Sequence, residues 1–154
     1  MQKEIYVDYI KILKEELIPA MGCTEPIALA YAASLCEKTL GEMPEKCQVK
    51  VSGNLVKNVK SVIVPNTGGL KGIEAAIAAG IIANAPVARL EVLSKIKEEQ
   101  YPLIVDYLKQ YEINVDVANT EETFYIDLEM NGKEHRARVV MMAYHTNVVL
   151  LEKD

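Results

Sequence analysis

The sequence has no tryptophan, one phenylalanine, two histidines and three cysteines in 154 residues, and each shortage removes a class of function. With so few stacking rings there is no platform for nucleic-acid bases. Lysines and arginines are interleaved with acids, as in Lys95–Glu99 and Glu134–Arg138, and the net charge is −5. No basic stripe exists to neutralise phosphates, so no nucleic-acid partner is expected. The cysteines fall at irregular spacing, unlike those of ferredoxin-type clusters or zinc sites. Their odd number does not favour a disulfide framework. Paired metal histidines, a nucleophilic serine elbow, a pyridoxal-phosphate lysine context and the Lys-Ser/Thr of a phosphate-binding loop are all missing.

Long apolar runs are missing too. The longest, Ile73 to Ala88, carries Glu74 and Pro86 and is too short to span a bilayer, so no membrane partner is expected. Met1 to Tyr9 lacks the basic start and apolar stretch of a secretory signal. Reduced thiols in a cytoplasmic protein are the expectation. Half of the residues are apolar and a quarter charged, the profile of a globular chain that folds as a single domain over residues 1–154.

The pattern along the chain predicts an α+β fold, with helical N-terminal two-thirds that include short strands, followed by a small, mainly antiparallel sheet. Ile5, Tyr9, Ile12, Leu13 and Leu17 recur at helical spacing over Lys3–Leu17, and Pro19 ends that helix. A second helix, Ala-rich and almost uncharged, runs from Pro26 to Gly41 and should be buried on most sides. Gln48–Val51 and Ser61–Val64 read as strands, with Gly53–Asn58 as a polar loop between them. An apolar helix is expected over Leu70–Asn84. Gly72, Ala76 and Gly80 lie four apart on it, a smooth stripe where another helix can approach closely. Arg89–Glu99 and Leu103–Tyr111 read as helices broken near Pro102. Ile113–Val117, Phe124–Met130, Arg136–Met142 and Val148–Leu151 read as strands, with Asn131-Gly132 as a two-residue hairpin turn.

Few residues can carry chemistry. Cys23 stands just before a helix, where backbone N–H groups and the helix dipole favour a thiolate able to bind metal. A small apolar plug at a helix end fits the same position equally well. Cys36 lies mid-helix among Ala, Leu and Ser, and Cys47 at a strand edge; both read as packing. Pro65-Asn66-Thr67-Gly68-Gly69 precedes a helix and reads either as an anion-binding turn or as a turn that needs glycine dihedrals. Asn54, Lys57 and Asn58 offer polar groups to a small zwitterion, or simply to solvent. His145 is a candidate general base, while His135 sits in a charged run.

These segments together resemble a family. Met21-Gly22-Cys23-Thr24-Glu25-Pro26-Ile27-Ala28-Leu29-Ala30 is similar to the N-terminal signature of the L-cysteine desulfidase family, related to the α chain of iron–sulfur L-serine dehydratases. Ser52-Gly53-Asn54, Lys57-Asn58, Val64-Pro65, Thr67-Gly68 and His145-Thr146-Asn147 follow in the family's order. Asn66 stands where the family more often has glycine.

The resemblance implies a lyase with a [4Fe–4S] cluster held by three cysteines, of which only Cys23 falls in this chain. The other two lie in a C-terminal half that the chain lacks, so the expected partner is that missing half or a second subunit. The chain is then the N-terminal part of a longer enzyme, inactive alone. Apolar surface left where the missing half docks would also permit a homodimer. The implied reaction is β-elimination: the open iron takes the β-thiol or hydroxyl while a base removes the α-proton. The aminoacrylate hydrolyses to pyruvate and ammonia, with sulfide released from L-cysteine and water from L-serine. The substrate is expected near Thr67, Gly68 and Gly69, with Asn54, Lys57 and Asn58 as further contacts and His145 as base. The competing reading is a non-catalytic amino-acid- or carboxylate-binding or regulatory module. The sequence does not choose between cysteine and serine.

Overall fold

The computed structural model describes residues 24–144 and 147–154. The helix expected over Lys3–Leu17, Cys23 and His145 therefore lie outside the described residues. The fold is α+β, with helices gathered on one face of a five-stranded mixed sheet.

Helix α1 (Thr24–Leu40) is the centre of the molecule. Eight consecutive residues, Pro26 to Ala33, are buried with hardly a polar atom among them, so the helix has no solvent face over that stretch and must be covered on several sides. One side lies on strands β3 (Tyr125–Asn131) and β4 (Arg136–Met142). The other is covered by α3 (Ile73–Ala83) and by the 3₁₀ segment Pro86–Lys95. Gly41 ends α1 at φ 80°, its N–H donating to the Glu37 carbonyl at 3.0 Å. That left-handed stop is where glycine is favoured.

The expected close helix approach is found at Gly80. A Cβ built there would lie 2.1 Å from the Ala30 carbonyl oxygen, so the backbones of α1 and α3 touch without a side chain between them. Gly72 instead serves as the N-cap of α3 at φ 96°.

The sheet order is β2-β1-β3-β4-β5. Strand β1 (Lys46–Val51) pairs parallel with β2 (Glu112–Val117) and antiparallel with β3; β4 follows β3, and β5 (Val148–Lys153) closes the edge. Alternation sets the faces: Cys47, Val49 and Val51, Ile126, Leu128 and Met130, and Ala137, Val139 and Met141 turn into the core. The sheet is thus not confined to the last third of the chain; β1 comes from the helical part and is an interior strand.

Several expected elements are corrected. Gly53–Val59 is helix α2, not a loop: Ser52 caps it, accepting the Leu55 N–H at 3.4 Å, while Leu55 and Val59 are buried four apart. Ser61–Val64 makes only an isolated bridge, Ile63 with Lys71. Arg89–Glu99 is 3₁₀ with a break at Arg89 (φ 52°), followed by α4 (Tyr101–Gln110) with Pro102 in its first turn. Asn131 pairs with Arg136, so the β3–β4 connection has four residues, closed by Gly132 N–H to His135 carbonyl at 2.9 Å. Glu42 reaches across to accept the Glu134 and His135 amides at 2.9 and 2.7 Å. Among the described residues no single helix is long and apolar enough to cross a membrane.

Candidate functional site

At the N-terminal end of α1 lies a cleft of about 180 Å³ lined by Glu25, Asn54, Leu55, Thr123, Phe124, Ala143 and Tyr144. Its walls come from four separate parts of the chain, and the fold fixes each. Glu25 stands in the first turn of α1. Asn54 and Leu55 stand in the first turn of α2, whose position relative to the loop before β3 is set by Ser52. That serine is 2% exposed; its hydroxyl donates to the Thr123 carbonyl at 2.8 Å and its N–H to the Tyr125 carbonyl at 3.0 Å. One buried side chain thus caps a helix and pins the opposite wall.

The fourth wall is the β4–β5 connection. Ala143 has φ 75°, a left-handed conformation that a non-glycine residue adopts only under constraint. The constraints are visible. Ala143 N–H donates to the Phe124 carbonyl at 3.1 Å, Asn147 N–H to the Tyr144 carbonyl at 3.2 Å, and the Asn147 side-chain amide to the Met142 carbonyl at 2.8 Å. Asn147 is therefore the clasp of this turn.

Of the residues singled out in the sequence, Asn54 lines the cleft. Lys57 and Asn58, three and four residues on, share its face of α2, and all three are exposed. None of the three side chains makes a hydrogen bond to another described residue. Cys23 is two residues before Glu25, and His145 follows Tyr144 directly.

Thr67, Gly68 and Gly69 are not among the residues lining this cleft, and their loop is held by its own bonds. Thr67 is 2% exposed, donating to the Val64 carbonyl at 2.8 Å and accepting the Leu70 N–H at 3.1 Å. Asn66, at φ 56°, donates to the Leu93 and Ile96 carbonyls at 2.8 Å each and accepts the Tyr101 hydroxyl. The Tyr101 ring closes over Gly68. The glycines do not open directly onto a helix start, because α3 begins only at Ile73.

Cys36 and Cys47 are fully buried. Cys36 donates to the Leu128 carbonyl at 3.8 Å, and Cys47 lies 3.7 Å from the Tyr107 hydroxyl. Burial pushes both thiols up, that of Cys47 to about 11 and that of Cys36 further, the nearby Cys47 adding to the effect. Both stay protonated and behave as core residues. Among the described residues no group of three His, Cys, Asp or Glu is placed to hold a metal.

A second groove, of about 260 Å³, crosses the open face of the sheet between Gln48, Lys50, Asp127, Glu129, Arg136 and Arg138. Its acids and arginines are matched to each other. Arg138 grips Asp127 through both carboxylate oxygens at 2.8 Å, and Arg136 meets Glu129 at 2.7 Å. These cross-strand pairs account for the groove as a solvated sheet face.

The sequence reading missed Ser52, Thr123, Phe124 and Tyr144. A capping signal was present for Ser52, a serine three residues before Leu55 and ahead of the Leu55–Val59 spacing. No local signal announces Thr123 or Tyr144, which reach the cleft only through strand pairing.

No family model and no solved structure matches the chain. Relatives do. A UPF0597 protein of Desulfitobacterium hafniense is 46% identical over 153 residues, 99% of this chain and 36% of its own length. A UPF0597 protein of Treponema denticola is 41% identical over 156 residues, covering 100% of this chain and 36% of its own length. One from Fusobacterium nucleatum is 42% identical over 145 residues, 94% of this chain and 34% of its own length. Over nearly its whole length the chain is therefore a homologue of the UPF0597 proteins, and it spans about 36% of the length of these curated relatives.

Proposed function

We propose that the chain is one part of an iron–sulfur amino-acid lyase that catalyses β-elimination of L-cysteine or L-serine in the cytoplasm, completed by a further segment or subunit. The observation that carries this reading is the cleft. Two of its walls, Glu25 and Tyr144, stand beside Cys23 and His145 in the sequence, and a third is Asn54. Residues that lie within or next to three strings far apart in the chain, each part of the family resemblance, thus line one depression.

The described residues do not hold a cluster by themselves, because Cys36 and Cys47 are buried, protonated thiols. In this reading Cys23 supplies one ligand and the other two come from outside the chain. The chain's own residues would bind and orient the substrate. Lys57, with Asn54 and Asn58 on the same exposed face, draws in an anionic carboxylate. Leu55 and Phe124 are buried in the wall and give it an apolar base. His145 is the candidate for taking the α-proton. Thr67 keeps its place in the proposal only as a builder of the turn, since its hydroxyl is engaged in both directions.

The test is turnover. The chain joined to the remainder of the longer protein, reconstituted anaerobically with iron and sulfide, is expected to release pyruvate and ammonia from L-serine, or these with sulfide from L-cysteine. Lys57→Ala and Asn58→Ala should raise KM more than they lower kcat. Amino-acid binding with no turnover by the reconstituted assembly would make the chain a binding module instead.

A further inference from the structure

The two edges of the sheet are finished differently. At the β2 edge, Ile113 and Val115 lie opposite Cys47 and Val49 and pack against the core. Exposed Glu112 and Asp116 place charge along the same strand, which discourages further pairing, and only Val117 at its end is both apolar and exposed. At the β5 edge, Leu151 lies opposite Val139, which is 0% exposed, so the two share the helix-side face of the sheet. Leu151 is nevertheless 45% exposed and not part of the core. Helix α1 spreads over β3 and β4 and reaches β5 only at its margin. Val149, the extra residue where the β4–β5 register shifts, is 48% exposed.

The open face of β5 is committed by contrast. Glu152 lies opposite Arg138 and meets Arg136 and Arg138 at 3.6 and 3.8 Å. Two things are left over on the strand: the outward backbone groups, which no strand among the described residues pairs, and the apolar Leu151 beside them. A helix laid on the edge would cover Leu151 but leave the backbone groups to water. An added strand with an apolar face satisfies both. The relatives show how much chain is available to supply it. The match takes up 36% of the Desulfitobacterium hafniense and Treponema denticola proteins, so the larger part of each lies outside it.

We propose that β5 is the docking edge for the remainder of the longer protein, which adds a strand along it and covers Leu151 on the helix side. The added strand is apolar on that face and polar where it borders Glu152. The proposal rests on the reading of the chain as one part of a longer assembly, and not on the lyase chemistry.

The experiment follows backbone hydrogen exchange by mass spectrometry in peptides covering Val148–Lys153, in the 154-residue chain and in the complete protein. Exchange is expected to be about tenfold slower or more in the complete protein, because the outward amides gain partners there. Leu151→Lys should leave the unfolding temperature of the 154-residue chain within error, since the side chain is half exposed in it, and remove the added protection in the complete protein. Leu151→Ala should remove part of it. Equal exchange in the two proteins overturns the proposal. So does protection that grows with the concentration of the 154-residue chain and gains nothing in the complete protein, which assigns the edge to a second copy. Added protection untouched by either substitution overturns the role of Leu151. Turnover is read separately: a protected β5 in a complete protein without lyase activity keeps this proposal and sinks the lyase reading, and activity with β5 unprotected does the reverse.

Discussion

Towards the C-terminal end of α1, Cys36 donates to the Leu128 carbonyl in the core; Cys47 lies 3.7 Å from the Tyr107 hydroxyl, which donates to the Pro44 carbonyl at 2.6 Å. At the N-terminal end, Glu25 borders a cleft where Asn54 and Tyr144 make no side-chain hydrogen bond to any described residue. The same helix thus runs from a cleft bordered by polar groups left over to a core where the two thiols and the Tyr107 phenol are engaged with the chain itself. Engaged groups hold the fold together. Unengaged ones, gathered in a depression, are available to a ligand. The same contrast separates the two loops singled out by sequence: Pro65–Gly69 uses its side chains on itself, whereas the turn at Ala143 and Tyr144 uses its backbone and leaves the phenol over.

Substitutions at the two ends should therefore act on different observables. The largest expected effect is at the helix crossing that joins them. Gly80→Ala places a Cβ against the Ala30 carbonyl, where neither backbone can move without disturbing the sheet side of α1. A loss on the order of 3 kcal/mol in urea unfolding is expected. A smaller loss, about 2 kcal/mol, follows from Tyr107→Phe, which leaves the buried Pro44 carbonyl without its donor. Ligand binding at the cleft should not change in that variant. If it did, the two ends would not be independent.

Two carboxylates near the C-terminal end give opposite pH slopes. Burial raises Glu37, whose Oε2 has no hydrogen-bond partner among the described residues. The folded state then holds a proton that the unfolded state has released. Between Glu37's raised value and the ordinary 4.5, stability rises as pH falls. Glu42 is lowered by the Glu134 and His135 amides, so its contribution is present above 4.5 and is lost as pH falls through its folded value. Glu37→Gln should remove the first slope and Glu42→Gln the second, in unfolding curves recorded across mildly acidic pH. The smallest effect on stability is at the cleft: Asn54→Ala should change unfolding by no more than about 0.5 kcal/mol while weakening amino-acid binding.

How much of this was legible in the sequence differs between the two ends. The buried α1, its glycine stop and the close approach at Gly80 follow from composition and spacing, because helix packing is written at intervals of three and four residues. Strand β4 was read to its limits, and β3 to within one residue at each end, from their alternation. The helix at Gly53–Val59 was lost because Gly, Asn and Lys suggest a turn, and only the Ser52 cap with Leu55 and Val59 argues otherwise. The Pro65–Gly69 loop, open in the sequence between an anion-binding turn and a plain glycine turn, was hard to read for a different reason. The consumption of Asn66 by Leu93, Ile96 and Tyr101 is a set of contacts some 30 residues away in sequence, which no local pattern encodes. The cleft itself joins residues from 25 to 144, and only Asn54 among its lining was named in advance. Ser52's bond to Thr123 and Ala143's to Phe124 are products of strand order rather than of any motif.

The central claim is that the cleft end, not the buried thiol end, is where the iron–sulfur chemistry is attached. It is tested most directly by reconstituting the complete protein anaerobically in three single variants, Cys23→Ala, Cys36→Ala and Cys47→Ala, and recording cluster content by electron paramagnetic resonance after reduction. The account predicts that Cys23→Ala loses the cluster, while Cys36→Ala and Cys47→Ala keep it with lowered stability. A Cys23→Ala protein that assembles the cluster as fully as the parent would contradict it.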